Sequence, residues 1–254
     1  MARATRLQHK AKRKVCRTMR NKTGAILIGA AAFLGGFLMC CQYAAAETEA
    51  EEAVLQGADA FSKGNIELAI DCFSKAIRLD PKYTAAYSNR GAAYWRKGDY
   101  DKAIADHTES IRLAPDNFAA YTNRGVVYAS KGDYDKAIAD YTEGIRLNPK
   151  FPMLFVNRGS AYLDKKDYDR AIADHDEAIR LDPKYAMAYY NRGVVHERMG
   201  DDDKAIADYA EAIRIDPKLA IAYHNRGMAY KRKGQTTKAE ADLAVAKKLG
   251  FSPK

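Results

Sequence analysis

The chain has 254 residues, with 42 Lys plus Arg against 33 Asp plus Glu and a formal charge of +9 at neutral pH. Nine of the basic residues lie within residues 1–22, which hold no acid, so the other 33 are matched one for one by the 33 acids and the remaining chain is neutral. That removes the main support for nucleic-acid binding, which needs a basic face on the folded part, and the length leaves no room for an added catalytic domain beside the repeats described below.

The basic start runs into an uninterrupted apolar stretch from Gly24 to Cys41, then Ala44, Ala45 and Ala46, and then the acids Glu47, Glu49, Glu51 and Glu52. Basic, apolar and small residues in that order read as a secretory signal peptide over residues 1–46, cut after Ala46. This is long for such a segment. Met19, with Arg20 and Lys22 as its basic region, offers a shorter version and is the expected true start. Eighteen apolar residues also just span a bilayer, so a second reading stays open: an uncleaved signal anchor, holding the chain to an inner membrane through residues 24–46. Bulky Phe37, Leu38 and Met39 before Cys40 do not suit lipidation, and no arginine pair signals twin-arginine export. Either way residues 47–254 are expected outside the cytoplasm, periplasmic or secreted. The cleaved chain would keep only Cys72, so it would hold together by packing and not by an internal disulfide.

From residue 50 onward the chain is periodic. Asn-Arg-Gly recurs at Asn89, Asn123, Asn157, Asn191 and Asn225, always 34 residues apart, and in the same phase stand Pro81, Pro115, Pro149, Pro183 and Pro217 and the glycines Gly64, Gly98, Gly132, Gly200 and Gly234. One frame gives six units, 50–83, 84–117, 118–151, 152–185, 186–219 and 220–253. A fixed period of this length is the mark of a solenoid. Within 84–117, Tyr87, Gly91 and Tyr94 step by four and three along one helical face. Lys97, Gly98 and Asp99 break that first helix, glycine suiting a left-handed turn and aspartate the cap of the next. Ala103, Ile104, His107, Ile111 and Leu113 resume the stripe until Pro115 ends it. Gly91 and Ala103 are expected to let the two backbones approach closely. In the fourth unit Lys166 must take the turn conformation that glycine takes elsewhere, at a cost of about 1 kcal/mol.

These residues resemble the tetratricopeptide repeat family. The likeness rests on glycine at the eighth place of each unit (Gly57, Gly91, Gly125, Gly159, Gly193, Gly227), alanine at the twentieth (Ala69, Ala103, Ala137, Ala171, Ala205, Ala239) and the closing prolines, and it implies an all-α, right-handed α-solenoid of six helix-turn-helix units. There are three departures: arginine at the seventh place, where the family usually has leucine; Lys166 at the fifteenth; and no proline in register in the sixth unit. Each of Arg90, Arg124, Arg158, Arg192 and Arg226 is followed sixteen residues later by Asp106, Asp140, Asp174, Asp208 and Asp242, while the first unit has Gln56 and Cys72 instead. Losing both members together suggests an ion pair across each hairpin; two independent solvated charges are the alternative. Isoleucines such as Ile70 and Ile77, or Ile206 and Ile213, give way to Glu240 and Lys247 in the last unit, which reads as a solvated cap against end-to-end stacking.

No convergent catalytic set is present, and the chain is not expected to be an enzyme or to hold a cofactor or metal. His107 and His175 share a place with Phe73, Tyr141 and Tyr209, His196 fills a place that is otherwise tyrosine, and no pair has metal-ligand spacing. Cys72 beside Phe73 reads as a small buried hydrophobe. The resemblance implies that the first helix of each unit lines a concave face, with Asn89, Asn123, Asn157, Asn191 and Asn225 able to donate to and accept from the backbone of an extended peptide; a role in helix contacts is the alternative for them. Anchors would come from places that do not repeat, among them Phe61, Trp95, Arg96, Met153, Val156, Leu163, Tyr190, Arg198, His224 and Arg232. The basic set with which some family members hold a terminal carboxylate is replaced by Val54, Ala58 and Ser88. The expectation is therefore an exported, monomeric scaffold that binds a protein or peptide segment in its groove, with a structural or oligomerising subunit of an envelope complex as the alternative.

Overall fold

The computed structural model describes residues 48–252, so the leader lies outside the described residues. Among the described residues the secondary structure is twelve helices and no strand. They are α1 (48–62), α2 (Ile66–Leu79), α3 (Thr84–Lys97), α4 (Tyr100–Leu113), α5 (Phe118–Ser130), α6 (Tyr134–Leu147), α7 (Pro152–Asp164), α8 (Tyr168–Leu181), α9 (Ala186–Arg198), α10 (Asp202–Ile215), α11 (Ala220–Arg232) and α12 (Thr236–Lys248). Odd-numbered helices are the first (A) helices of the repeats and even-numbered ones the second (B).

The punctuation works as the sequence implies. Asn65, Asp99, Asp133, Asp167 and Asp201 each accept a hydrogen bond from the backbone N–H three residues on, which satisfies an otherwise orphaned donor at the start of the B helix. The repeat-closing prolines stand two residues beyond the last helical residue, for example Pro115 after Leu113. Lys166 has φ 63°, the one positive value at a non-glycine among the described residues, where the other turns use glycine at 72° to 87°.

Each helix packs on the next along the chain, and α3 also touches α5, α5 touches α7 and α7 touches α9. The core is made of small residues in register: Ala69, Ala103, Ala137, Ala171 and Ala205 are wholly buried, as are Ala86, Ala188 and Ala222. Where one repeat changes size, its neighbour compensates. Gly144 stands where other repeats have alanine or serine, and Leu154, fully buried, fills that space; a Cβ on Gly144 would lie 2.9 Å from Leu154 Cδ2.

The eighth-place glycines have a use that spacing did not show. What fills the space over Gly57, Gly91, Gly125, Gly159 and Gly193 is the ring from the B helix (Phe73, His107, Tyr141, His175 and Tyr209), which a Cβ would meet at 2.5 to 2.8 Å. The glycine makes room for a ring. At Gly227, whose partner is Leu243, a backbone atom is among the nearest, Ala239 O at 3.2 Å.

The arginine–aspartate pairs form in all five repeats. Arg124 donates from Nε and Nη2 to the two carboxylate oxygens of Asp140 at 2.9 and 2.8 Å, and Arg90, Arg158, Arg192 and Arg226 do the same with Asp106, Asp174, Asp208 and Asp242. The aspartates are buried and the arginines mostly so. Aromatic rings flank the guanidinium within the helix, Tyr121 and Tyr128 both about 6 Å from Arg124 Cζ. The free Nη1 reaches the preceding repeat: Ser74, Thr108 and Thr142 accept from Arg90, Arg124 and Arg158 at 3.0 Å, and Asp176 from Arg192 at 2.5 Å. Arginine in place of leucine thus ties three helices together.

Candidate partner-binding face

The second, sixth, ninth and twelfth places of the A helices lie on one side of each helix by their spacing. At the sixth place, the side chains of Asn89, Asn123, Asn157 and Asn191 make no hydrogen bond within the chain and are partly or fully exposed. Asn225 differs, donating from Nδ2 to Tyr190 Oη at 3.2 Å. An amide row with open donors and acceptors can satisfy both halves of successive peptide bonds.

Around this row lie apolar side chains. Met153, Met187 and Ile221 occupy the second place of three successive repeats and are 36 to 38% exposed, and Leu55, at the sixth place of the first repeat, is 70% exposed. Ala92, Val126, Val194 and Met228 at the ninth place are partly exposed. Trp95 is 40% exposed and fixed by a hydrogen bond from Nε1 to Ser130 Oγ at 2.9 Å. Arg96 stacks over the Phe61 ring at 5.2 Å.

A rule links these contacts. Trp95 with Ser130, Phe61 with Arg96, Tyr190 with Asn225 and Glu197 with Arg232 are each 35 residues apart, one repeat plus one residue. Tyr190 is half-buried, with its hydroxyl pKa raised by burial, and its ring lies 5.8 Å from that of Tyr209. Tyr209 passes beneath Gly193 and donates to Glu197 Oε2 at 2.6 Å, its own pKa raised by burial and by that carboxylate. Of the expected anchors, Val156 is buried in the core at 5% exposure, because its neighbours in α8 and α9 cover it. Arg232 is held by Asp202 and Glu197, and His224 stacks on Phe251 at 4.3 Å, the residue standing where other repeats have proline. Ser130, Met187, Ile221 and Glu197 were not singled out from the sequence, although the second-place grid that marks Met153 also marks Met187 and Ile221.

The histidines are placed for packing. His107 and His175 are fully buried, and burial lowers the pKa of each to about 4, with Arg124 and Arg192 acting in the same direction. Among the described residues no group of His, Cys, Asp and Glu is arranged to hold a metal ion, and no helix is long and apolar enough to cross a membrane.

Family patterns described as TPR repeat match residues 57–98, 159–200 and 199–234, and patterns described as tetratricopeptide repeat match 84–117, 118–151 and 220–249. The chain belongs to the tetratricopeptide repeat family. Among solved structures, MamA is 31% identical, with 63% of this chain and 93% of that chain covered and a TM-score of 0.55. A tetratricopeptide repeat protein from Parabacteroides merdae is 23% identical over 81% of each chain, with a TM-score of 0.68. YrrB, described as a tetratricopeptide repeat protein with an unusual peptide-binding site, is 24% identical over 70% of this chain and 92% of that one, with a TM-score of 0.52. This chain is accordingly a tetratricopeptide repeat scaffold of paired helices.

Proposed function

We propose that the scaffold is exported and holds an extended segment of a protein partner along the inner side of its A helices, by equilibrium binding and without catalysis. The observation that carries this reading is the row of four asparagines, Asn89, Asn123, Asn157 and Asn191, whose amides are unengaged in successive repeats. An extended chain leaves its own peptide groups free and needs such partners once it is covered. Trp95, held in place by Ser130, and Arg96 on Phe61 supply anchors at one end, and Tyr190 closes the other by engaging Asn225. The peptide-binding site described for YrrB, a protein of the same fold, is consistent with this use. Export rests on the basic–apolar–small order of residues 1–46, with the scaffold monomeric and either released to the periplasm or held at the inner membrane by residues 24–46.

The test is proximity labelling from the protein in its native compartment, alongside variants in which Asn123 and Trp95 are changed to alanine. Labelled partners should be lost in the variants while helical content is kept. A partner set that survives both substitutions would refute groove binding. Light scattering of the purified protein should give a monomer; a defined oligomer would favour a structural subunit.

A further inference from the structure

At four of the five junctions between repeats the turn of the later repeat places a lysine on an acid in the first turn of the earlier B helix. Lys97 meets Glu67 at 2.6 Å, Lys131 meets Asp101 at 2.5 Å, and Lys165 and Lys233 pair likewise with Asp135 and Asp203. At the junction of the fourth and fifth repeats the lysine is replaced by Met199, 48% exposed, and the corresponding acid, Asp169, has no ion-pair partner. The same spot holds the one non-glycine turn, Lys166. Together Lys165, Lys166, Asp167, Tyr168, Asp169 and Met199 line an open pocket of about 370 Å³.

The neighbouring charges leave Asp169 distinct. Lys165 is committed to Asp135, Asp167 caps α8 and binds Arg170, and Arg198, on the adjoining turn, acts on Asp164. Lys166, although it lines the pocket, makes no ion pair. What this junction lacks is therefore a cation on an aliphatic stem, the group that the other four junctions supply from within. Met199 offers the stem an unbranched apolar surface.

We infer that this turn edge is a docking point for a lysine side chain of a protein partner, which supplies in trans the ion pair missing between the fourth and fifth repeats. It lies on the turns between A and B helices and does not depend on the asparagine row. As an exposed pair it tunes orientation and specificity more than affinity, since such pairs are individually weak.

The test uses the protein with N-acetyl-lysine methylamide as probe and N-acetyl-norleucine methylamide, which lacks the charge, as control, observing the Met199 methyl and Asp169 carboxylate resonances. At constant ionic strength the lysine probe should shift both at concentrations on the order of 0.1 M, norleucine should shift neither, and Met199→Lys should abolish the Asp169 response while Asn123→Ala leaves both intact. Lys166→Ala should strengthen them. Equal shifts with norleucine, persistence of the response in Met199→Lys, or a response that appears only after Lys166 is removed would each overturn the proposal, the last by showing that Asp169 is already answered from within.

Discussion

Acid should loosen this solenoid through two residues that can be named. His175 is wholly buried with neither ring nitrogen hydrogen-bonded, and His107 is buried with Nδ1 unpartnered. Burial lowers each pKa from 6.5 to about 4. In the unfolded chain an imidazole takes up a proton below pH 6.5, whereas in the folded chain it does so only near 4, so the unfolded state binds more protons between those values. Stability is therefore full above pH 6.5 and falls as pH drops toward 4. Between pH 7 and pH 5 the linkage amounts to about 2 kcal/mol for each histidine, or about 4 kcal/mol together. The surface carboxylates with lowered pKa, such as Asp99 and Glu109, act below their ordinary value near 4 and so outside this window. The assay is urea unfolding followed by circular dichroism at pH 7 and pH 5, for the natural chain and for His107→Phe with His175→Phe. Phenylalanine is accommodated because Phe73 already fills the equivalent place over Gly57. The variant should be at least as stable at pH 7 and should lose little on acidification. If both proteins lose the same stability between the two pH values, the buried imidazoles are not the cause and the reasoning fails.

Other outcomes follow from single contacts. Arg124→Ala or Asp140→Ala alone should cost about 3 kcal/mol by stranding a largely buried charge, and the double variant should cost less than the sum; additivity in a double-mutant cycle would refute the coupling. Lys166→Gly should raise the melting temperature by relieving about 1 kcal/mol of left-handed strain, readable by calorimetry. Gly144→Ala should destabilise by 1 kcal/mol or more, on the order of typical overpacking costs, because its Cβ would press on Leu154, and Leu154→Ala should rescue it. Replacing the exposed Glu240 and Lys247 by isoleucine should promote association in sedimentation, since these positions continue the apolar seam of the earlier repeats.

The sequence made the framework legible because its period is strict. Asp99 and Gly98 mark a cap and a turn wherever they recur, and Lys166 stands out by replacing a glycine whose role is fixed by the backbone. The arginine–aspartate pairs were legible for a related reason: the first repeat has Gln56 and Cys72 in place of both members, so the two positions vary together. The ring over the eighth-place glycine was not legible, because spacing gives the depth of a residue in the hairpin and not the direction from which a ring arrives. The inner face was harder still. Trp95 with Ser130 and Tyr190 with Asn225 meet at 35 residues, an offset set by how one repeat is staggered on the next. A 34-residue grid contains the stagger nowhere, and so it could place Asn225 in the row without showing that its amide is already engaged.

The third contact of each guanidinium grades the joints of the rod. Arg192 reaches back to a carboxylate and Arg90, Arg124 and Arg158 to hydroxyls, but Ala210 stands where Arg226 would need an acceptor. The last joint is held from its other side, by Arg232 on Asp202 and Glu197, Lys233 on Asp203 and Asn225 on Tyr190, so the sixth repeat should move with the first five only as long as that set is intact. Amide exchange would register this as early opening of α11 and α12 when Arg232 is replaced by alanine, and in the natural chain a partner lying along the whole face would be gripped by a nearly rigid trough up to its tip.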